Sequence, residues 1–222
     1  MHVRHARAAT VGALLALSIA TAASAAVLWD QSNLNATLDG TVDLSSTSCS
    51  QISGNTKVHI ASDVHFDNPV IISAVRIYET PGNVQAATQG YLWIAPKTGP
   101  LPTASNTDVE AAAILVPIVV SPVVGGVVTV SAQGLSRSLP AGDYWVSLTP
   151  KHSIGQFPYT WHIYSAGPVV GAPSAAIVAC TANSNWVYPL DPNRPDYSIK
   201  IEGDIPVPTL HSSWSQVKSI YR

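Results

Sequence analysis

The stretch VIISAVRIYE, from Val70 to Glu79, decides the class of this fold. It is rich in β-branched residues and has no Gly or Pro inside it. Such side chains are stiff at χ1 and sit well on a pleated, half-buried surface. Side chains alternate along a strand, so Ile71, Val75 and Ile77 are expected on one face with Ser73, and Arg76 and Tyr78 on the other. Runs of the same kind recur down the chain. QGYLWIAP stops at Pro96, and DYWVSLTP (Asp143 to Pro150) is launched by the turn Leu139-Pro140-Ala141-Gly142. YTWHIYS, AAIVAC, NWVYP and DYSIKIEG follow. Short runs of Val, Ile, Tyr and Trp bounded by Gly, Pro, Asn and Ser read as strands. The whole predicts an all-β fold, a jelly-roll-like antiparallel β-sandwich.

AAAILVPIVVSPVVGGVVTVSA, from Ala111 to Ala132, is apolar enough to suggest a membrane helix. Pro117, Pro122 and Gly125-Gly126 interrupt it, and a proline costs about 3 kcal/mol inside a helix. Two strands are expected instead, Ile114 to Val120 and Val127 to Ser131, with Pro117 placing the first at an edge or a bulge.

The ends differ from the middle. Arg4 and Arg7 precede an apolar run from Ala8 to Ala20, and Ala23-Ser24-Ala25 offers a small-x-small cleavage site. That order is a secretory signal peptide over residues 1–25, too short in its apolar part to span a membrane. The β-domain is expected over residues 26–203. Pro206-Val207-Pro208 then favours an extended linker, and residues 204–222 form a linker and tail. In the tail, Ser212 or Ser213 offers a helix cap, and Trp214, Val217, Ile220 and Tyr221 fall at helical spacing. Ten residues do not hold a helix alone in water. The tail is therefore expected to dock, to remain disordered, or to serve in recognition through Trp214, Val217 and Tyr221.

Of the 11 Lys and Arg, two lie in the leader, leaving 9 against 13 acidic residues and a net charge of −4. A basic footprint for nucleic acid is absent. Cys49 and Cys180 are the only cysteines, and an even pair in an exported chain is most simply a disulfide. Closing a loop of roughly 130 residues corresponds to about 4–5 kcal/mol.

Signals for chemistry are sparse. There is no G-x-S-x-G and no H-E-x-x-H. His59, His65, His152, His162 and His211 stand in neither H-x-H nor helical i, i+4 spacing. No catalytic residue is assigned. Asp191, Asn193 and Asp196 gather three oxygen ligands suited to calcium, against the simpler reading of a proline-rich turn capped by its own side chains. No other cofactor is indicated. Tyr159 with Trp161, and Trp186 with Tyr188, each share a strand face and are candidates for stacking on sugar rings. Trp93 and Trp145 read as core.

Several spaced patterns carry a resemblance. LWDQSN at Leu28, SDVHFDNPVIISAVRIYE, LPAGDYWVSL and NWVYPLDPNRPDYSIKIEGD together resemble exported bacterial β-sandwich domains that carry Pro-Glu-Pro carboxy-terminal sorting signals, the PEP-CTERM group. The match covers about four fifths of the mature chain as short patterns. The resemblance implies a non-catalytic, exported domain of the cell surface or extracellular matrix. In that group a hydrophobic span and a basic end follow the last strand. Here SWSQVKSIYR follows instead. The expected function is structural or interactive, with a polysaccharide or a surface protein as partner. A carbohydrate-binding module and a secreted hydrolase are the alternatives.

Overall fold

The computed structural model describes residues 25–33, 46–47, 57–103, 109, 111–151, 162–163, 165, 174–178 and 196–206. These residues are all-β. The strands are β1 Ala26–Asp30, β2 Ser46–Thr47, β3 Lys57–Phe66, β4 Val70–Glu79, β5 Gln89–Pro96, β6 Ile114–Val120, β7 Val128–Leu139, β8 Gly142–Pro150, β9 Ala175–Val178 and β10 Ile199–Asp204. A 3-10 turn at Asn83–Ala86 separates β4 from β5.

Every strand pair is antiparallel. The hydrogen-bonded path runs β1-β10-β4-β7-β6-β5-β8-β3-β2, with β9 also on β3. The expected two packed sheets are thus joined into one sheet that curls almost closed around its core. The join is β6. Its first half pairs with β5, from Leu92↔Ile114 to Gln89↔Pro117. Its second half pairs with β7, from Ile118↔Ala132 to Val120↔Val130. Strands that change sheets make the corners of such folds.

Pro117 sits at this change of partner, not at an edge or a bulge as expected. The Ile118 N–H donates to the Thr88 carbonyl at 3.0 Å, toward β5. The Pro117 nitrogen therefore faces the other side, where pairing with β7 begins only at the next residue. No ladder bond is lost there.

The core draws one face from each long strand. Val64 and Phe66, Val70, Ile72, Val75 and Ile77, Leu92, Val116 and Ile118, Val128, Val130 and Ala132, Tyr144, Val146 and Leu148, and Ile199 and Ile201 form one apolar cluster. Burying such side chains contributes about 1.5–3 kcal/mol each.

Strand β4 departs from strict alternation. Val70 and Ile72 point inward, but so do Val75 and Ile77. Against β7 the register skips from Ile72↔Arg137 to Ala74↔Gln133, and against β10 from Gly203↔Ile72 to Glu202↔Ala74. Ser73 is the unpaired residue of a bulge. The bulge flips the parity, so Ile71 does not share the face of Val75 and Ile77 as a regular strand requires. On β7 the same irregularity contains Gly134 at φ 67°, a left-handed value that costs glycine nothing.

Strand β3 was not singled out by its polar residues, yet Val64 and Phe66 enter the core from one side while Ala61 joins a second cluster on the other. That second cluster joins Ala61, Trp93, Val109 and Trp145, with Leu101 and Ala113 packed on it. Both tryptophans read as core are buried, but on the outer face of β3, β8 and β5. Strand β8 is consequently buried from Tyr144 to Pro150 on both faces.

Where β10 crosses β4 there is no room for a side chain. A Cβ on Gly203 would lie 2.1 Å from the Ile71 carbonyl oxygen and 2.8 Å from Leu28 Cδ1. Gly203→Ala is expected to lower the unfolding free energy by about 1–3 kcal/mol, the usual range for overpacking. Urea denaturation of the two proteins measures it. Equal midpoints would refute the close approach.

Candidate functional site

Among the described residues, three polar or exposed regions are candidates for a site. The first is the interior of the barrel at the end where β4 finishes and β10 begins. There Glu79 is paired by an isolated antiparallel bridge with His162. The Glu79 Oε1 lies 3.5 Å from His162 Nδ1, and both side chains are almost wholly buried. The His162 ring meets the Tyr197 ring edge-on at 5.2 Å between centroids. Beside them runs a buried hydrogen-bond chain. The Ser174 N–H donates to Asp196 Oδ1 at 3.2 Å, and Gln31 Nε2 donates to Asp196 Oδ2 at 3.2 Å. Ser174 Oγ is 3.1 Å from Ser62 Oγ and accepts from the Tyr197 N–H.

Asp196 was a candidate calcium ligand. The structure buries it at 2% exposure, with each carboxylate oxygen taken by a protein donor. It ties the start of β9 and the end of β1 to the start of β10. Among the described residues, no group of three or more His, Cys, Asp or Glu is arranged to hold a metal ion.

The second region is the outer face of β3, β8 and β5. Its registers place Asp63 opposite Trp145, and Trp145 opposite Ala95. Lys97 Nζ donates to Asp63 Oδ2 at 2.9 Å and stands 5.2 Å from the centroid of the Trp145 ring. A cation over an indole face is attracted by the ring quadrupole. Deeper on the same face, His59 Nδ1 is 3.0 Å from Thr149 Oγ1, which is 3.3 Å from Ser147 Oγ. At the rim, His65 is half exposed between two carboxylates. Its Nδ1 is 2.8 Å from Asp143 and its Nε2 3.1 Å from Asp67.

The third region is apolar and faces solvent. Leu115 and Val119 project from the outer side of β6, and Val123 and Val124 crown the hairpin to β7. Val119 is 63% exposed and Val124 76%. The hairpin closes through reciprocal bonds between Val124 and Val127, with Gly125 and Gly126 both at positive φ. Two adjacent residues at positive φ are what a type I′ turn demands. From Ala111 to Ser136 the chain has no charged residue.

The remaining candidates lie outside the described residues. They are the cysteines Cys49 and Cys180, the aromatics Tyr159, Trp161, Trp186 and Tyr188, the oxygen ligands Asp191 and Asn193, and the tail residues Trp214, Val217 and Tyr221. Apart from Asp196, no residue of these three regions was singled out as a site from sequence. Glu79 ends a strand with no partner in sight, because His162 stands far along the chain. The apolar hairpin was legible as strands, but its exposure was not.

The carboxylates of Asp143, foremost, and Asp67 hold His65 above its ordinary pKa of 6.5. A histidine raised by folding adds stability that is fully present below its unfolded pKa and fades as pH rises through the folded value. In an NMR titration the His65 ring is expected to titrate above 6.5, and Asp143→Asn to bring its midpoint down. A midpoint unmoved by Asp143→Asn would show that this contact does not persist in solution. Comparison with family models, with curated proteins and with solved structures returned no match to this chain.

Proposed function

We propose that this protein is an exported, non-catalytic β-domain of the cell surface or extracellular matrix, which acts by holding a protein partner on the outer side of β6 and its hairpin. The observation that carries the reading is the exposure of Leu115, Val119, Val123 and Val124 on one strand and the turn that follows it. Large apolar residues grouped on one exposed element are a mark of interaction sites. The surrounding stretch from Ala111 to Ser136 is uncharged, so the complementary surface is itself apolar and neutral. That chemistry fits a protein face better than a hydroxyl-rich sugar, whose rings are held by aromatic platforms. Ile114 to Pro117 are already paired with β5 and Ile118 to Val120 with β7, which leaves each half of β6 one unpaired side among the described residues. Recognition on this reading runs through the exposed side chains. The leader over residues 1–25 and the resemblance to exported surface domains support the location.

The Val119→Ser, Val124→Ser double variant tests this reading. Both side chains face solvent, so the melting temperature is expected to stay within about 3 °C of the original, surface changes being worth about ±0.5 kcal/mol each. Fractionation of producing cells is expected to find the original protein at the surface and the variant at least tenfold depleted there, with the loss recovered in the medium. An identical distribution of the two proteins overturns the proposal.

A further inference from the structure

His162, Ile163 and Ser165 fill the gap that opens where β10 leaves β4. The Ile163 N–H donates to Tyr78 O at 2.9 Å, the Ser198 N–H donates to Ile163 O at 2.9 Å, and the Ser165 N–H donates to Asp196 O at 2.8 Å. These residues act as a short extra strand between the end of β4 and residues 196–198. The side-chain contact beneath it is Glu79 with His162, 0% and 3% exposed. Among the described residues, neither oxygen of Glu79, nor Nδ1 of His162, has a hydrogen-bond partner.

The surroundings of this pair supply no other balancing charge among the described residues. On β4 the inward neighbour is Ile77. Arg76 lies on the opposite face and is engaged with Glu202 at 2.7 Å. On β7 the residue opposite Glu79 is Val128, fully buried and apolar. From 196–198 come the Tyr197 ring and the Asp196 carboxylate, the latter held by Gln31 and Ser174. On β10, Lys200 faces outward toward Asp30 and Glu202. Among the described residues, Glu79 and His162 are thus the charges left to balance each other. An unbalanced charge in such a place is strongly disfavoured.

We propose that Glu79 and His162 form a proton-controlled latch. With one proton between them the pair is neutral overall, and His162, Ile163 and Ser165 stay docked. When acid adds a second proton, a net positive charge is left in the interior. It is relieved by withdrawing His162 into water, which breaks the backbone bonds at Tyr78, Asp196 and Ser198 and opens this end of the barrel. The apolar core between β4, β7 and β8 does not depend on the pair and stays intact. This inference is independent of the apolar surface on β6.

The experiment is amide hydrogen exchange on the full chain, read by NMR at pH 7 and pH 4. The reporters are the N–H groups of Ile163, Ser165 and Ser198, with Val130 in β7 as the reference. The protection factors of the three reporters are expected to fall at least tenfold in acid while that of Val130 is unchanged. In the Glu79→Gln, His162→Gln double variant, which cannot change charge, the acid-dependent fall is expected to vanish. Flat protection in the original protein overturns the latch, and so does an equal fall in the double variant. If the variant does not fold, the original protein still decides. A fall shared by Val130 is global unfolding and rejects the proposal, whereas one confined to the three reporters supports it.

Discussion

Strand β6 gives its first half to β5 and its second half to β7, and the sheet can enclose a core only because one strand does both. Without that change of partner, β1, β10, β4 and β7 would form one layer and β5, β8 and β3 another. A proline at the point of exchange is consistent with this role. A residue without an N–H is tolerated where no partner stands opposite it. The same strand sends Val116 and Ile118 into the core and Leu115 and Val119 into solvent. The corner of the fold and its apolar outer surface are thus two faces of one element.

The bulge at Ser73 has a comparable reach. By inserting one residue it lets Val70 and Ile72 face inward together with Val75 and Ile77. Glu79, two residues beyond Ile77, therefore also faces inward. A regular strand carrying Val70 and Ile72 inward would have turned Glu79 out to water. The buried carboxylate is a consequence of the bulge, and His162 is the group that the fold brings to it. Gly203 allows β10 to press against the irregular part of β4, since any side chain there would meet the Ile71 carbonyl.

The two sides of the barrel wall are used differently. Across β3, β8 and β5 the outer face is covered by Leu101, Val109 and Ala113 over Trp93 and Trp145, and its charges are paired, Lys97 with Asp63 and His65 with Asp143 and Asp67. Across β4, β10 and β1 the outer face carries the network of Arg76, Glu202, Lys200 and Asp30. Among the described residues, large apolar side chains face solvent mainly on β6 and its hairpin, with Val27 and Ile205 also exposed. The grouping on one strand and its turn makes that exposure informative, because isolated apolar residues are ordinary and a group of them is not.

The class of the fold and most of its strands were legible in the sequence. QGYLWIAP matches β5 and Ile114 to Val120 matches β6 end to end, and DYWVSLTP and DYSIKIEG contain nearly all of β8 and β10. Local rules suffice there, because β-branched residues, alternation and Pro or Gly boundaries act within a few residues of one another. The sequence also showed that Trp93 and Trp145 belong in an interior, since large aromatic surfaces are seldom left in water. Three matters depended on tertiary structure. The bulge at Ser73 arises from the registers of β7 and β10, which no local pattern in β4 contains. The meeting of Glu79 with His162, and of Asp196 with Gln31 and Ser174, joins residues distant along the chain. The exposure of Val119 and Val124 depends on what does or does not pack over β6. Propensity is a property of neighbours in sequence, whereas register, burial and charge pairing are properties of neighbours in space.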